Sequence, residues 1–238
     1  MLQVELDEST ICRFLQSQGL TRQKMQIVAK QRDEYERALF ATEMSVYDPD
    51  MLIFLDETGC DRRNVLRRRA YSFRGKPAVS HKLLVRGRHL NAIAFMSSSG
   101  IIDCHIEDGP VDGDQFYLCV QRYLLPHLMP FDGSNPHSVV IMDNTSIHHV
   151  DEVVQIIQGV GAMIIFLPPY SPDYNPIEEA FSKVKTVIKD YESSVESDRM
   201  DLKDIVLSSF CSITPEDCMH WLEHTLWYIH VNNHHVIL

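Results

Sequence analysis

Three acidic residues stand at points in the sequence where metal-assisted chemistry could be carried out. Asp56 follows the apolar run 51–55, Asp143 follows the apolar run 139–142, and Glu178 opens a helical pattern. An acid that follows several buried apolar residues is expected at the exposed end of a strand. Carboxylates without neighbouring Cys or His suit hard cations such as Mg²⁺ or Mn²⁺. Two such ions roughly 3.5–4 Å apart assist phosphodiester cleavage, which is the predicted chemistry.

Each of these acids also has an ordinary structural interpretation. Asp56 could simply end a strand, and Asp143 with Asn144 could form an Asx turn. Glu178 lies three residues after Asn175, where a glutamate folds back onto a helix N-cap. Helical phase does not distinguish Glu178 from Glu179, because both lie off the apolar stripe of the helix. Taken one at a time, the acids leave both interpretations open.

The order of predicted elements indicates a mixed α/β sheet covered by helices. A ligand site at the carboxyl ends of its strands requires the strands that carry Asp56 and Asp143 to be adjacent and parallel. The order is compatible with a ribonuclease H-like fold. Strands are predicted at 51–56, 89–97, 101–107, 138–143 and 162–167, and helices within 9–43, at 112–125, at 150–158, from Ile177 to Tyr191, around 202–210 and from Pro215.

Composition limits the class of protein. The chain has 238 residues, of which 45% are hydrophobic and 23% are charged, so wholesale disorder and a coiled-coil rod are excluded. The apolar runs are too short for a membrane-spanning helix, and the first residues do not resemble a secretory signal. Six scattered cysteines without a Cys-x-x-Cys pair indicate reduced thiols. The composition predicts an ordinary folded protein of one or two domains.

Charge is distributed unevenly along the chain. The net charge is −11, yet residues 61–90 hold ten basic side chains and one acid, which makes that segment +9 and the remainder −20. Such a block is a candidate surface for contact with a polyanion, although a solvated charged loop would have the same composition. The candidate DNA-binding residues are Arg62, Arg63, Arg67, Arg68, Arg69, Arg74 and Lys76.

Three strings in order resemble the catalytic motifs of mariner-superfamily DDE transposases. They are Leu-Asp-Glu-Thr-Gly at 55–59, Met-Asp-Asn-Thr-Ser-Ile-His-His at 142–149, and Leu-Pro-Pro-Tyr-Ser-Pro-Asp-Tyr-Asn-Pro-Ile-Glu at 167–178. Thirty-four residues separate Asp143 from Glu178, a spacing characteristic of one branch of that family. The likeness covers about residues 50–230, and the coincidence of three motifs outweighs the ordinary interpretation of each acid.

The resemblance implies a ribonuclease H-like core in which Asp56, Asp143 and Glu178 hold two Mg²⁺ or Mn²⁺ ions, with Glu178 chosen over Glu179 by the spacing. It implies hydrolysis at transposon ends followed by strand transfer into target DNA. The implied partners are transposon-end and target DNA. A homodimer is left open, no membrane is expected as a partner, and location in the nucleus is inferred only from DNA as the substrate. Asn144, His148 and His149 are candidate neighbours of the active site.

The N-terminal part departs from the family pattern. Family members usually begin with a two-part helix-turn-helix region, of which residues 1–46 resemble only the tail and a linker helix. Residues 47–238 are interpreted as the ribonuclease H-like catalytic domain with C-terminal helices, in a chain truncated at its N-terminus. The alternative function is a catalytically silent, truncated or host-adopted remnant that binds DNA or protein.

Overall fold

A computed structural model describes residues 7–21, 31–60, 72–77, 89–143, 150–192 and 201–233. The chain divides into two compact units, Met1–Lys30 and Gln31–Leu238. The first contains helix α1 (Glu8–Ser17), whose N-cap Asp7 accepts a hydrogen bond from the backbone N–H of Ser9. The predicted boundary between a helix-turn-helix tail at 1–46 and a catalytic domain at 47–238 stays a prediction. None of the described helices has the length and apolarity that crossing a membrane requires.

The second unit is built on a five-stranded mixed sheet in the order β3-β2-β1-β4-β5. Strands β1, β2 and β3 form an antiparallel meander, and β4 and β5 continue the sheet in parallel with β1. The five predicted strands are confirmed. The strands are β1 (Leu52–Cys60), β2 (Leu90–Ser97), β3 (Gly100–Asp108), β4 (Val139–Met142) and β5 (Met163–Phe166).

Strand β1 is longer than the sequence predicts, so the expectation that Asp56 ends it is wrong. Its parallel pairing with β4 stops at Leu55 and Met142, but its antiparallel pairing with β2 continues to Cys60. The Thr58-Gly59 pair, which indicates a turn in isolation, is held extended by hydrogen bonds to a long neighbouring strand. Asp56 is consequently half-buried inside a strand rather than exposed at its tip.

Helices cover both faces of the sheet. The predicted helix at 112–125 divides into α3 (Gly113–Cys119), a π-helical turn at Val120–Leu124 and a 3₁₀ turn at Leu125–His127. Pro126, in the last of these, has no N–H with which to continue a regular helix. The other helices confirm the predicted ones. They are α2 (Glu34–Met44), α3 (Gly113–Cys119), α4 (Val150–Gly159), α5 (Ile177–Glu192), α6 (Leu202–Cys211) and α7 (Pro215–Asn233).

The alternation of side chains along β1 separates two hydrophobic cores. Leu52 and Phe54 pack with α2, α5, α6 and α7 on one face, whereas Ile53 and Leu55 pack with α3 and α4 on the other. The predicted apolar stripe of α5 is buried at Ile177, Ala180, Phe181, Val184 and Ile188. This packing fixes the start of α5 over the face of β1 that carries Phe54.

Helix α3 begins with a capping box. The Asp112 carboxylate accepts from the N–H of Gln115, and the Gln115 side chain accepts from the N–H of Asp112, both at 2.9 Å. Replacing Asp112 with alanine removes a partner of an otherwise unpaired helix N–H, and we expect the free energy of unfolding to fall by about 1 kcal/mol. Urea denaturation measures the change. Asp112→Asn retains a good capping side chain and should stay near the parent, so an equal loss in both variants would contradict this explanation.

Candidate active site

The sheet register brings two of the predicted acids together. Phe54 and Ile141 are paired across the parallel strands β1 and β4, and both face the core beneath α5. Asp56 lies two residues after Phe54, and Asp143 lies two residues after Ile141. Because side chains alternate between the two faces of a sheet, both acids lie on the face of that core and just beyond it. The parallel pairing of β1 and β4 ends at Leu55 and Met142, which leaves an opening between the two segments of the chain that follow.

Helix α5 brings the third acid to the same opening. One pocket, with a volume of about 370 Å³, is lined by Asp56, Asp143 and Glu178, and Glu179 is not among its lining residues. The structure therefore places the three predicted acids around one space. In the described part of the chain, no three Asp, Glu, His or Cys groups are gathered closely enough to hold a metal ion as they stand. The remaining walls are formed by 167–172 and Asn175.

Asp56 is the most perturbed acid in this pocket. Its Oδ1 accepts from the backbone N–H of Glu57 at 2.7 Å, and its Oδ2 accepts from Nδ2 of Asn175 at 2.8 Å. Burial is the main reason that the pKa of Asp56 rises to about 7. The hydrogen bond from Glu57 lowers this pKa, while the negative charges of Glu178, Asp143 and Glu57 raise it further. The group is thus poised to ionise near neutral pH.

Glu178 stands at the more open side of the pocket. The residue is exposed, yet desolvation of its carboxyl group raises its pKa, with Lys185 lowering that pKa and Glu179 raising it. Its backbone N–H donates to the carbonyl of Asn175 at 3.2 Å in the first turn of α5. Asp143, which follows the last residue of β4, is also exposed. The two outer acids therefore face solvent, from which a substrate would approach.

Asn175 contacts the site in a way that sequence reasoning missed. The interpretation of Asn175 as a side-chain N-cap is wrong, because its amide donates to Asp56 across 119 residues of sequence instead. The residue is only 4% exposed, and no donor among the described residues reaches its Oδ1. The sequence signal that could have identified Asn175 as a site residue is its place in the third motif, three residues before Glu178. Asn175 therefore joins the pocket wall to the buried acid.

The donor set fits a hard divalent cation. Three carboxylates from β1, the end of β4 and the start of α5 face one space, and its wall holds the Asn175 amide oxygen, which has no partner among the described residues. Oxygen donors of this kind are the ligands that Mg²⁺ and Mn²⁺ prefer. Burial is the main cause of the raised pKa of Asp56, and the smaller contribution from the negative charges of neighbouring carboxylates would be relieved by positive charge.

The other predicted site residues are mostly beyond the described ranges. Arg74 and Lys76 are exposed in a short turn at 72–77, where the N–H of Lys76 donates to the carbonyl of Phe73 at 2.9 Å. Neither residue lines the pocket. The predictions that lie outside the described residues are Arg62, Arg63, Arg67, Arg68, Arg69, Asn144, His148 and His149.

Comparison with solved structures identifies the fold. The crystal structure of the Mos1 mariner paired end complex with Mn has a TM-score of 0.66 at 16% identity, covering 94% of this chain and 69% of that one. The Mos1 strand transfer complex has a TM-score of 0.65 at 14% identity, covering 94% and 68%. The catalytic domain of Mos1 mariner transposase has a TM-score of 0.58 at 11% identity, covering 89% and 96%. The predicted ribonuclease H-like fold is confirmed.

Sequence comparison gives the family. No curated protein matches the chain by sequence. The family model for the DDE superfamily endonuclease matches residues 51–201, well over half of the chain. The matched segment contains all three acids of the pocket and the loop that carries Asn175. The resemblance predicted from the three motifs is thereby confirmed, and the chain belongs to the DDE superfamily endonuclease family.

Proposed function

We propose that this chain is the catalytic core of a DNA transposase, which hydrolyses phosphodiesters at transposon ends and transfers the freed strand into target DNA. The observation that carries the proposal is the convergence of Asp56, Asp143 and Glu178 on one pocket, just beyond the point where the parallel pairing of β1 and β4 ends. The similar structures include a Mos1 complex with the left transposon end and a strand transfer complex, which support DNA as the substrate.

Asp56, Asp143 and Glu178 would hold two Mg²⁺ or Mn²⁺ ions, and similar Mos1 complexes contain Mn or Mg. When bound, the ions supply charge that activates a water or 3′-hydroxyl nucleophile and stabilises the leaving oxygen. Asn175 keeps Asp56 in one orientation through its hydrogen bond to Oδ2. Asp56 must lose its proton to act as a ligand, so ligation is favoured as the pH rises through about 7.

The basic segment supplies the second part of the proposal, because a phosphate backbone needs cationic contacts outside the acidic pocket. The segment has a charge of +9 over residues 61–90 in an otherwise acidic chain. We assign DNA contact to it, and we place the protein in the nucleus because its proposed substrate is chromosomal DNA. The proposed contacts are Arg62, Arg63, Arg67, Arg68, Arg69, Arg74 and Lys76, with Asn144, His148 and His149 as neighbours of the pocket.

Plasmid nicking tests the proposed function. Purified protein with Mn²⁺ should convert supercoiled plasmid to nicked circles, and EDTA should stop the reaction. The Asp143→Ala variant should not nick, because it lacks a carboxylate that faces the pocket. Equal nicking by both proteins would contradict the assignment.

DNA binding measured without metal, as a function of salt, completes the test of function. Counterion release predicts that affinity falls steeply as salt rises. We expect Asp143→Ala to bind DNA with this same salt dependence, since the pocket is separate from the basic segment in sequence. Salt-dependent binding by a parent protein that never cleaves would instead identify the catalytically silent DNA-binding module.

A further inference from the structure

A buried arginine from the N-terminal part of the second unit holds the loop that carries Asn175. Arg37 on α2 is 1% exposed, which is rare for a charged side chain. Its Nη1 and Nη2 donate to the two carboxylate oxygens of Asp173 at 3.1 and 2.8 Å. The two residues are 136 positions apart in sequence. This bidentate geometry fixes both the position and the rotation of the Asp173 side chain.

Helix α2 also holds the next residue of that loop. The Arg37 guanidinium lies over the ring of Tyr174, with Cζ 3.6 Å from the ring centroid. Phe40, on the following turn of α2, stacks on the same ring with centroids 5.8 Å apart and an interplanar angle of 18°. Tyr174 is itself 2% exposed. Two consecutive residues of the 3₁₀ turn Pro172–Tyr174 are therefore held by contacts from one helix.

The turn Pro172–Tyr174 connects the residues held by α2 to Asn175, which lines the pocket. The backbone N–H of Asn175 donates to the carbonyl of Pro172 at 3.0 Å, which closes the turn immediately before Asn175. The side chain of Asn175 then donates to Oδ2 of Asp56 at 2.8 Å. A short series of contacts thus joins Arg37 to the most buried acid of the pocket, although Arg37 does not line the pocket itself.

We propose that Arg37 is a positioning residue for the carboxylate pocket, acting through Asp173 and Tyr174 on Asn175 and thereby on Asp56. The inference rests on the proposed function, because it concerns the same pocket. A buried ion pair contributes little net stability, since desolvation of both charges offsets their attraction. What the bidentate contact supplies is a fixed orientation, which lysine, as a single ammonium, cannot reproduce. Arg37 therefore fixes the geometry of the loop.

Mn²⁺ binding to the full chain tests this role independently of catalysis. We expect Arg37→Lys to weaken the Mn²⁺ affinity measured by calorimetry by about 10- to 100-fold, the range typical for loss of an outer-shell partner, at unchanged stoichiometry. Nicking should show a lower kcat with an unchanged KM for DNA. Asp173→Asn, which alters the partly exposed partner of the pair, should weaken Mn²⁺ affinity in the same direction. This second variant decides the matter if Arg37→Lys does not fold.

Met44→Ala provides the matched control, because Met44 is a buried core residue of the same helix. We expect it to lower the melting temperature while its folded fraction keeps the parent affinity for Mn²⁺. Parent-like Mn²⁺ affinity in the folded Arg37 and Asp173 variants would overturn the inference, as would an equal loss of affinity in Met44→Ala. Absence of Mn²⁺ binding by the parent protein would overturn the proposed function and this inference with it. If the parent nicks DNA with Mn²⁺ and the Arg37→Lys protein has the Mn²⁺ affinity of the parent, this inference is overturned and the proposed function is not.

Discussion

Replacing Asp56 with asparagine is expected to abolish nicking and, at pH 8, to stabilise the metal-free protein. Asparagine has nearly the same size but no negative charge with which to hold a cation. Changes to outer-shell partners of metal ligands already cost about 10- to 100-fold in activity, so loss of a proposed ligand should cost more than about a hundredfold. The rate of plasmid nicking in Mn²⁺, measured beside the parent, tests this part of the prediction.

The expected gain in stability follows from the raised pKa of Asp56, about 7 in the folded protein against an ordinary value of 3.8. The folded state holds this proton more tightly than the unfolded state, so unfolding releases a proton between roughly pH 4 and pH 7. The free energy of unfolding therefore falls as the pH rises through that range, and the whole penalty is present above about pH 7. At about 1.4 kcal/mol per pKa unit, the penalty is at most about 4 kcal/mol.

Asparagine at position 56 removes this penalty, but its hydrogen bonds are no longer strengthened by a negative charge, which costs about 1 kcal/mol. Rotation of the Asn175 amide lets its unpaired Oδ1 accept from the new side chain, so the second contact is kept. We expect a net gain of about 1–3 kcal/mol at pH 8 and almost none at pH 4, measured by denaturation in EDTA. Saturating Mn²⁺ should reverse the order, because only the parent is stabilised by binding. A gain that persists at pH 4 would refute the electrostatic explanation.

The sheet and the carboxylate pocket were largely predictable because their signals are local. Apolar runs before Asp56 and Asp143 indicated two buried strands, and the adjacent parallel pairing places the acids together. The stripe from Ile177 to Ile188 indicated the buried face of α5. The end of β1 was not predictable from its own residues, because Thr58 and Gly59 remain extended only through pairing with β2.

The contacts that support the pocket were not predictable, because they join distant parts of the chain. Nothing in the sequence around Arg37 indicates that its partner is Asp173, 136 residues later. Asn175 has a local interpretation as a helix cap, and only the folded sheet shows that Asp56 is within reach of its amide. Side chains that orient a site from outside are specified by tertiary packing, whereas the acids themselves follow strand and helix periodicity.

Comparison of Glu178 with Glu179, the adjacent glutamates of α5, tests whether an acid here acts by lining the pocket or only through its negative charge. Glu178→Gln is expected to lower the nicking rate by more than about a hundredfold, because it removes a proposed ligand that lines the pocket. Glu179→Gln makes the same chemical change one residue away, on a side chain that does not line the pocket, and should stay within about threefold of the parent. Both changes remove one negative charge from the first turn of α5, where an acid adds about 0.3–1 kcal/mol. Because burial raises the pKa of Glu178, the Glu178→Gln protein should melt no lower than the Glu179→Gln protein.

Mn²⁺ titration of these two variants separates ligation from a general effect of charge. The Glu179→Gln protein should bind Mn²⁺ slightly more weakly than the parent, since a nearby negative charge is lost at the exposed end of the helix. The Glu178→Gln protein should lose much more affinity, because two carboxylates in place of three remain around the pocket. Equal losses would mean that the helix acts only through its total charge, and a larger loss in Glu179→Gln would transfer the ligand role to the other glutamate.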